Sequence, residues 1–378
     1  MMGGQIEEFL YFGCMKAMIC ALSLFLGLIF SCKVNQEPVL IPPSDPAIQY
    51  LGRIDTTLER TYRFAWTASQ LSARFTGTSL RLELGAEQTG ADEREPMSWF
   101  RIQVDDLPPK IIQVEESQET VLIAKQLPPG EHRFHLFKRS EAESGTARFY
   151  GIYLDVGAEL LPPPSSPPPW IEAYGNSITC GYGNECADRD EAFSPATEDG
   201  YHTYAAIAAR QVGANYTAVA WSGRGVFQNY DRSQERTIPA MAETILPGSP
   251  ETIGVRENSP EIILINLGTN DFAHGTPDKQ GVMNAYRNFL QNLRHHNASS
   301  QIVLLTGSMM RGEPLDILKS WLDELQAEFS QRGDGQIHRF DLSPQGELGY
   351  GCQWHPTEAQ HEKNGQELAA FISQLLTD

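Results

Sequence analysis

Apolar and polar residues alternate along the chain from about Gln49 to Val156. The alternating segments are short and rich in β-branched and aromatic residues, and they read TYRFAWT, ARFTGTSLRLEL, WFRIQVD, TVLIAKQL, HRFHLFKRS and ARFYGIYLDV. A period of two predicts half-buried β-strands, and turn residues separate the segments at sandwich-like spacing. We therefore predict a small antiparallel β-sandwich of the jelly-roll kind over residues 48–160.

The pattern changes after Trp170, where short apolar runs alternate with helical stretches. The runs are typical of parallel strands buried on both faces, and they are Trp170–Tyr174, Tyr216–Ala220, Ile262–Leu267 and Ile302–Leu305. The helical stretches are Tyr201–Gln211, Asn284–Arg294, Leu315–Phe329 and Glu358–Leu376. Such alternation predicts an α/β domain over residues 170–378, with a parallel sheet flanked by helices.

A proline-rich segment separates the two patterns. Residues 161–169 read LPPPSSPPP, which excludes a helix or an interior strand because proline lacks the backbone N–H and fixes φ. We predict an extended, semi-stiff linker at this position. A length of 378 residues also favours two domains.

Residues 1–32 have the features of an export leader. The apolar run Ala17–Phe30 is shorter than the about 20 residues that a membrane-spanning helix needs, and it fits the core of a signal peptide. The run ends Ile-Phe-Ser-Cys32, which resembles the lipobox of bacterial lipoproteins. We predict export to the cell envelope with a lipid anchor at Cys32, and the alternative is plain secretion after ordinary cleavage.

Export changes the interpretation of the six cysteines. Three of them belong to the leader, and Cys180, Cys186 and Cys352 remain in the mature chain. An oxidising compartment favours one disulfide and one buried thiol. The sequence does not fix the pair, but we favour Cys186 with Cys352 because Cys180 lies in a predicted helical turn.

Composition and charge exclude several classes of protein. With 41% hydrophobic residues the chain is globular, not fibrous or largely disordered. The formal net charge is −19 and no run of Lys and Arg is present, so a nucleic-acid partner is not expected. A neutral substrate suits such an acidic protein better than a polyanion.

Four short motifs follow the ends of predicted strands or precede the last helix. They are YGNSIT from Tyr174, WSGRG from Trp221, NLGTND from Asn266 and WHPT from Trp354. Parallel strands end at a common edge of the sheet, where ligands usually bind. Each motif alone also has an ordinary structural explanation, such as a helix N-cap, a tight turn or an Asx turn.

In this order the motifs resemble those of the SGNH (GDSL-like) hydrolase superfamily, named for its Ser, Gly, Asn and His. With the preceding β-sandwich and the spellings GNSITCGYG, WSGRG, NLGTNDF and WHP, the mature chain resembles the two-domain acetyl esterases of carbohydrate esterase family two. This resemblance implies a serine esterase that removes acetyl groups from plant polysaccharides such as acetylated xylan and glucomannan. The alternatives are an esterase or lipase acting on other acyl esters or envelope sugars, and a non-catalytic carbohydrate-binding lipoprotein.

The resemblance assigns a role to each motif. Ser177 is the predicted nucleophile and His355 the predicted base. The oxyanion hole is predicted to contain the N–H groups of Ser177 and Gly223 and the side chain of Asn270. Most superfamily members carry Asp three residues before the His, but here that residue is Cys352. We therefore predict a Ser–His dyad, with His355 oriented by a backbone carbonyl or by the amide of Gln353.

Two aromatic residues are candidates for sugar binding. By resemblance to the stacking residues of the family, these are Trp354 and Tyr230, and the alternative for both is core packing. Asp271 is expected to brace its loop. The sequence implies no cofactor, and because no His/Asp cluster has metal-ligand spacing, we predict a metal-free site.

Overall fold

Two antiparallel sheets form the N-terminal region. The strands are β1 Gln49–Leu51, β2 Asp55–Leu58, β3 Thr61–Phe64, β4 Gln70–Thr76, β5 Leu80–Glu87, β6 Ser98–Val104, β7 Lys110–Val114, β8 Glu119–Ala124, β9 Glu131–Lys138, β10 Thr146–Leu154 and β11 Leu160–Leu161. One sheet has the order β1-β4-β9-β6-β7, with β11 also paired to β4, and the other has the order β2-β3-β10-β5-β8. The fold comes from a computed structural model, which describes residues 38–89, 96–254 and 258–376.

Alternate side chains of each strand point into the core of this region. In β5, Leu80, Leu82 and Leu84 are fully buried, whereas Arg81 between them is exposed. This alternation follows from the period of two in side-chain direction along a strand. The predicted antiparallel β-sandwich is confirmed. The short strands β1, β2, β7 and β11 were not predicted, because each offers too few alternating residues.

The second region is built on a parallel sheet of five strands. They are β12 Trp170–Gly175, β13 Asn215–Ala220, β14 Ile262–Asn266, β15 Gln301–Thr306 and β16 Ile337–Asp341, and their order in the sheet is β13-β12-β14-β15-β16. The central strand β14 is buried at every position, as its apolar run predicts. The edge strand β16 was missed because it reads IHRFD and is only partly buried.

Helices cover both faces of the parallel sheet. They are α1 Ser177–Cys180, α2 Tyr204–Gln211, α3 Ile238–Met241, α4 Lys279–His296, α5 Gly312–Gln331 and α6 Glu358–Leu375. Helices α4 and α5 contribute buried side chains to one hydrophobic cluster, and α2 and α6 contribute to another. The predicted α/β class is therefore confirmed. Within the described ranges, no helix combines the length and apolarity that crossing a membrane requires.

The sandwich and the parallel-sheet region lie in one compact unit from Val39 onward. Trp66 of the sandwich is fully buried in the same cluster as α4 and α5, and its Nε1 donates to the carbonyl of Ile245 at 2.9 Å. Arg53 forms a buried ion pair with Glu172 of β12 at 3.2 Å. The proline-rich residues 162–168 are exposed and connect β11 to β12.

Candidate active site

Ser177 lies directly beyond the carboxyl end of β12. Asn176 caps α1 by accepting the N–H of Ile178 at 3.1 Å, which makes Ser177 the first residue of the helix. A Cβ at Gly175 would lie 2.0 Å from the Thr179 hydroxyl, so this close approach requires glycine. The strand-to-helix turn thereby fixes the Ser177 side chain at the edge of the sheet, where it is 8% exposed.

His355 reaches Ser177 from the loop before α6. Its Nε2 lies 2.9 Å from Ser177 Oγ, and its Nδ1 lies 3.1 Å from the carbonyl oxygen of Cys352. The loop is tied down by the disulfide between Cys186 and Cys352, the pair that we favoured from the sequence. The remaining cysteine of the described chain, Cys180, is a buried thiol.

The hydrogen bonds define the protonation state of His355. A carbonyl oxygen only accepts, so Nδ1 must carry the proton that is donated to Cys352. Nε2 is then free to accept from the Ser177 hydroxyl, which is the arrangement that a general base requires. Burial lowers the pKa of His355 to about 4, so the ring is neutral at neutral pH. Of the two orienting groups considered from the sequence, the carbonyl occupies this position.

Gln353 has a different partner. Its Oε1 accepts the Tyr182 hydroxyl at 2.8 Å, and its φ of 50° is followed by a φ of 67° at Trp354. Two consecutive non-glycine residues in the left-handed region are unfavourable. The disulfide at Cys352 and the hydrogen bond to Tyr182 hold this turn, which directs His355 toward Ser177.

The predicted oxyanion groups lie on the loops after β12, β13 and β14. Gly223 has φ of 75°, a conformation that glycine adopts readily. Within the described residues the N–H groups of Ser177 and Gly223 donate to no protein acceptor. Asn270 is 8% exposed, and its Nδ2 donates to the carbonyl of Arg224 at 2.8 Å, which leaves its second amide hydrogen available.

Asp271 braces a loop, as expected, but this loop is the one after β13 and not the loop that carries Asp271. Its carboxylate accepts the N–H groups of Val226 at 3.0 Å, Phe227 at 2.8 Å and Gln228 at 2.9 Å. Burial nevertheless raises the pKa of Asp271 to about 6. The loop that carries Gly223 is thus held to the loop that carries Asn270.

The two aromatic residues predicted to bind sugar are both exposed. Trp354 is 49% exposed and Tyr230 is 58% exposed, so neither packs in the core. The N–H of Tyr230 donates to the Gly223 carbonyl at 2.7 Å. The guanidinium of Arg189 lies 4.1 Å from the ring centre of Trp354.

Sequence reasoning missed two aromatic residues at this site. Tyr182 lies 4.4 Å from the imidazole of His355 and stacks on Phe193 at 3.7 Å between ring centres. Tyr182 follows the nucleophile motif closely, which is the one signal that pointed to it. Nothing in the sequence pointed to Phe193, whose loop is placed by tertiary contacts.

A buried acidic residue from the sandwich also contacts the site. Glu141 accepts the N–H of Ser222, which precedes Gly223, at 2.7 Å, and the Cys180 thiol lies 3.6 Å away. A second buried carboxylate, Glu198, accepts the Glu141 N–H at 2.7 Å. Burial raises the pKa values of Glu141 and Glu198. No sequence signal marks Glu141, because it precedes Ser222 by 81 residues and belongs to the sandwich.

Two clusters of potential metal ligands in the described chain have other partners. One group consists of Glu185, Asp199, His202 and Glu358. Arg139 lies beside it, 3.4 Å from Asp199. The carboxylates of Asp199 and Glu358, which lie 3.1 and 2.9 Å from Nδ1 of His202, raise the pKa of this ring to about 9. The ring is therefore protonated and unsuited to metal binding. The group with Cys186 and Cys352 contains the disulfide. Ion pairs therefore account for the first group, and a disulfide accounts for the second.

Comparison with known proteins agrees with both regions of the fold. Residues 50–164 match the family described as Carbohydrate esterase 2 N-terminal, and residues 173–363 match the GDSL-like Lipase/Acylhydrolase family. A solved family two carbohydrate esterase from Clostridium thermocellum is 32% identical, with a TM-score of 0.81 over 88% of this chain and 99% of that chain. The chain belongs to carbohydrate esterase family two. Its predicted class, a carboxylic ester hydrolase, is confirmed by this membership.

Other relatives extend the comparison. The Cellulase/esterase CelE of Acetivibrio thermocellus is 33% identical over 88% of this chain, which spans 40% of the length of that relative. An Acetylxylan esterase / glucomannan deacetylase of Cellvibrio japonicus is 27% identical over 89% of this chain and 91% of its own length. A solved family two esterase from the same organism has a TM-score of 0.80 and 25% identity, and the match covers 90% of this chain and 98% of that chain.

Proposed function

We propose that this protein is a serine esterase that removes O-acetyl groups from a plant polysaccharide, acetylated xylan or glucomannan. The observation that carries the proposal is the contact of 2.9 Å between Ser177 Oγ and His355 Nε2. A neutral imidazole with its proton on Nδ1 is ready to accept the serine proton. Ser177 and His355 therefore act as a dyad, with the Cys352 carbonyl in the orienting position that a carboxylate holds in a triad.

The reaction has two steps. In the first, Ser177 Oγ attacks the acetyl carbonyl while His355 Nε2 takes the hydroxyl proton, and that proton is then delivered to the departing sugar oxygen. In the second, His355 takes a proton from water, whose oxygen attacks the acetyl-enzyme. The imidazolium then returns this proton to Ser177 Oγ as the ester bond to the serine breaks and acetate leaves. The negative oxygen of each tetrahedral intermediate is held by the N–H groups of Ser177 and Gly223 and by Asn270.

The names of relatives and the exposed rings support a polysaccharide substrate. Two relatives from Cellvibrio japonicus are named acetylxylan esterase / glucomannan deacetylase, and a structural neighbour was solved with cellohexaose. In this chain Trp354 and Tyr230 present exposed rings next to His355 and Gly223, as sugar-binding platforms do.

We also propose export, because the Cys186–Cys352 disulfide needs an oxidising compartment. The lipid anchor at Cys32, outside the described residues, is part of this proposal.

Product analysis tests the activity. Acetate release is measured on acetylated xylan and acetylated glucomannan with wild type, Ser177→Ala and the control Ser117→Ala, an exposed serine of the sandwich. We expect wild type and the control to release acetate, and we expect the rate of release to fall at least about 10³-fold in Ser177→Ala. Equal release by all three proteins would contradict the proposal.

Chain-length preference separates acetyl esterase from lipase. With p-nitrophenyl esters, an acetyl esterase hydrolyses the acetate faster than the octanoate, whereas a lipase shows the reverse preference.

A fluorophosphonate probe tests the non-catalytic alternative, since an activated Ser177 reacts with it and an inert one does not. Metabolic labelling of wild type with a fatty acid, absent in Cys32→Ala, tests the anchor.

A further inference from the structure

The outer face of the six-stranded sheet carries a groove that the proposed reaction does not use. Its volume is about 490 Å³. Pro164 of the proline-rich segment and Tyr201 of the α/β region form its walls, and its floor comes from β1, β4, β9 and β6. The floor side chains are mainly polar, and they include Gln49, Ser72, Arg74, Arg101, Gln103, Arg133 and His135.

Strand register arranges four of these side chains in a row. Gln49 pairs with Ser72, Ser72 with His135, and His135 with Gln103. At the usual spacing between strands, such a row is about 14 Å long, which is long enough to contact an extended oligosaccharide. In the described part of the chain, the side chains of Gln49 and Ser72 have no hydrogen-bond partner, so their polar groups are available to sugar hydroxyls. The other two are engaged, since His135 Nε2 contacts Gln70 Oε1 at 2.5 Å and Gln103 Nε2 donates to the carbonyl of Asp105 at 3.1 Å.

The groove is cationic in a protein with a net charge of −19. Arg74 is paired with Glu131 at 2.6 Å, and Arg133 lies 3.8 Å from Asp106. Arg101 has neither an ion pair nor a side-chain hydrogen bond among the described residues. Its guanidinium lies 4.3 Å from the ring centre of Tyr201, and this contact orients the group while its N–H donors remain free.

The other titratable groups of the groove leave this positive charge uncompensated. Asp105 contacts His132 at 2.7 Å and accepts the Arg133 N–H at 2.9 Å. Burial lowers the pKa of His135 to about 4, so His135 is neutral and adds hydrogen bonding but no charge. A fixed guanidinium with free donors matches a carboxylate, which it binds through two parallel hydrogen bonds.

We propose that this groove is a second, non-catalytic site that binds an acidic segment of polysaccharide. Arg101 binds the carboxylate of a uronic acid unit, and Gln49 and Ser72 bind hydroxyls of the adjoining sugars. This inference rests on the proposed function and extends its substrate class to glycans that carry uronic acid units. It also gives the proline-rich segment a role, because Pro164 forms one wall of the site.

Titration calorimetry tests the site with the full mature chain. The ligands are a xylo-oligosaccharide with one glucuronate side group and the neutral oligosaccharide of the same length, at one fixed salt concentration. The variants are Arg101→Ala and the matched control Arg81→Ala, which removes an exposed arginine from β5 of the opposite sheet. We expect Arg101→Ala to weaken binding of the acidic ligand about tenfold. Arg81→Ala is expected to bind like wild type, and hydrolysis of p-nitrophenyl acetate is expected to be unchanged in both variants.

A second variant tests the same groove in case Arg101→Ala does not fold. Ser72→Trp places a bulky ring in the groove between Gln49 and His135. This ring is expected to block the acidic ligand and weaken its binding as well. Equal binding of the acidic ligand by wild type and both groove variants would overturn the proposal, as would free glucuronate that binds as tightly as the oligosaccharide. Loss of ester hydrolysis with intact, Arg101-dependent binding would contradict the proposed function alone.

Discussion

At the scale of single residues, the orientation of His355 by a main-chain carbonyl is the central feature. The Cys352 carbonyl accepts the Nδ1 proton and fixes the reactive tautomer, which is one of the two tasks of a triad carboxylate. It carries no charge, so it stabilises the imidazolium less than a carboxylate does. The burial of the ring therefore dominates, and the pKa of His355 is low.

The low pKa of His355 predicts activity in acid. The neutral ring is the active base, so kcat/KM should rise as pH increases through about 4 and stay level toward neutrality. The measurement is kcat/KM for p-nitrophenyl acetate between about pH 3.5 and 8. An acidic limb near the ordinary histidine value of about 6.5 would show that burial does not control the base.

Asn270 is expected to act in the transition state. Replacing Asn270 by Ala should lower kcat by about 10²–10³-fold with little change in KM, because an oxyanion donor contributes mainly after attack. Steady-state kinetics measure this, and circular dichroism verifies that the Arg224 loop, which Asn270 also holds, remains folded. An unchanged kcat would remove Asn270 from the oxyanion hole.

At the scale of elements, the active site depends on loops held from outside the parallel sheet. Glu141 of the sandwich binds the N–H of Ser222, and the disulfide joins the loop after α1 to the loop before α6. Both contacts fix backbone rather than reacting atoms. Their loss should therefore change positioning and stability together.

Glu141 is expected to be a positioning residue for the oxyanion loop. Glu141→Ala leaves the partly buried Ser222 N–H unpaired, which costs about 1–3 kcal/mol, and should lower kcat more than it changes KM. Glu141→Gln keeps an accepting oxygen and should recover most of kcat. Steady-state kinetics of both variants, beside the exposed control Glu116→Ala, measure this. Equal kcat losses in the Ala and Gln variants would contradict a role for the hydrogen bond to Ser222.

Removing the disulfide should weaken both the fold and the dyad. The double variant Cys186→Ser, Cys352→Ser opens a cross-link between positions 166 residues apart, which should lower stability by about 2–5 kcal/mol. The kcat should fall too, since the Cys352 carbonyl orients His355. Thermal unfolding and kinetics with and without reductant measure both effects, and the buried Cys180 thiol remains in every sample. An unaltered melting temperature and kcat would show that the loop is held by other contacts.

At the scale of the whole molecule, the sandwich completes the core of the hydrolase region. Trp66 fills the cluster shared with α4 and α5, and Arg53 pairs with Glu172 inside the contact between the regions. A charge buried at that contact is costly unless its partner is present. Each region thus supplies groups that the other needs.

This sharing predicts a single unfolding transition. Trp66→Ala leaves a large cavity and should reduce the stability by about 3–5 kcal/mol, and both regions should unfold together at the lower temperature. Calorimetry combined with near-ultraviolet circular dichroism measures the transition. Two separated transitions in wild type, with only one of them shifted in Trp66→Ala, would contradict the shared core.

The sequence alone determined most of the elements of this fold and marked the motif residues of its candidate site. Periods of two and of about 3.6 report local burial, so β5, β14 and α4 were predictable from neighbouring residues. Motifs at strand ends marked Ser177, Gly223 and Asn270, because parallel strands end at one edge. The edge strand β16 and the short strands gave too little pattern.

Only the tertiary structure decided which distant groups meet. The choice of the Cys352 carbonyl over Gln353, the contact of Glu141 with Ser222 and the groove at Arg101 all depend on the packing of segments far apart in the chain. Periodicity describes how one segment is buried, but it carries no information on which other segment buries it. The physical reason is that hydrophobic burial is non-directional, whereas these contacts require defined distances and angles.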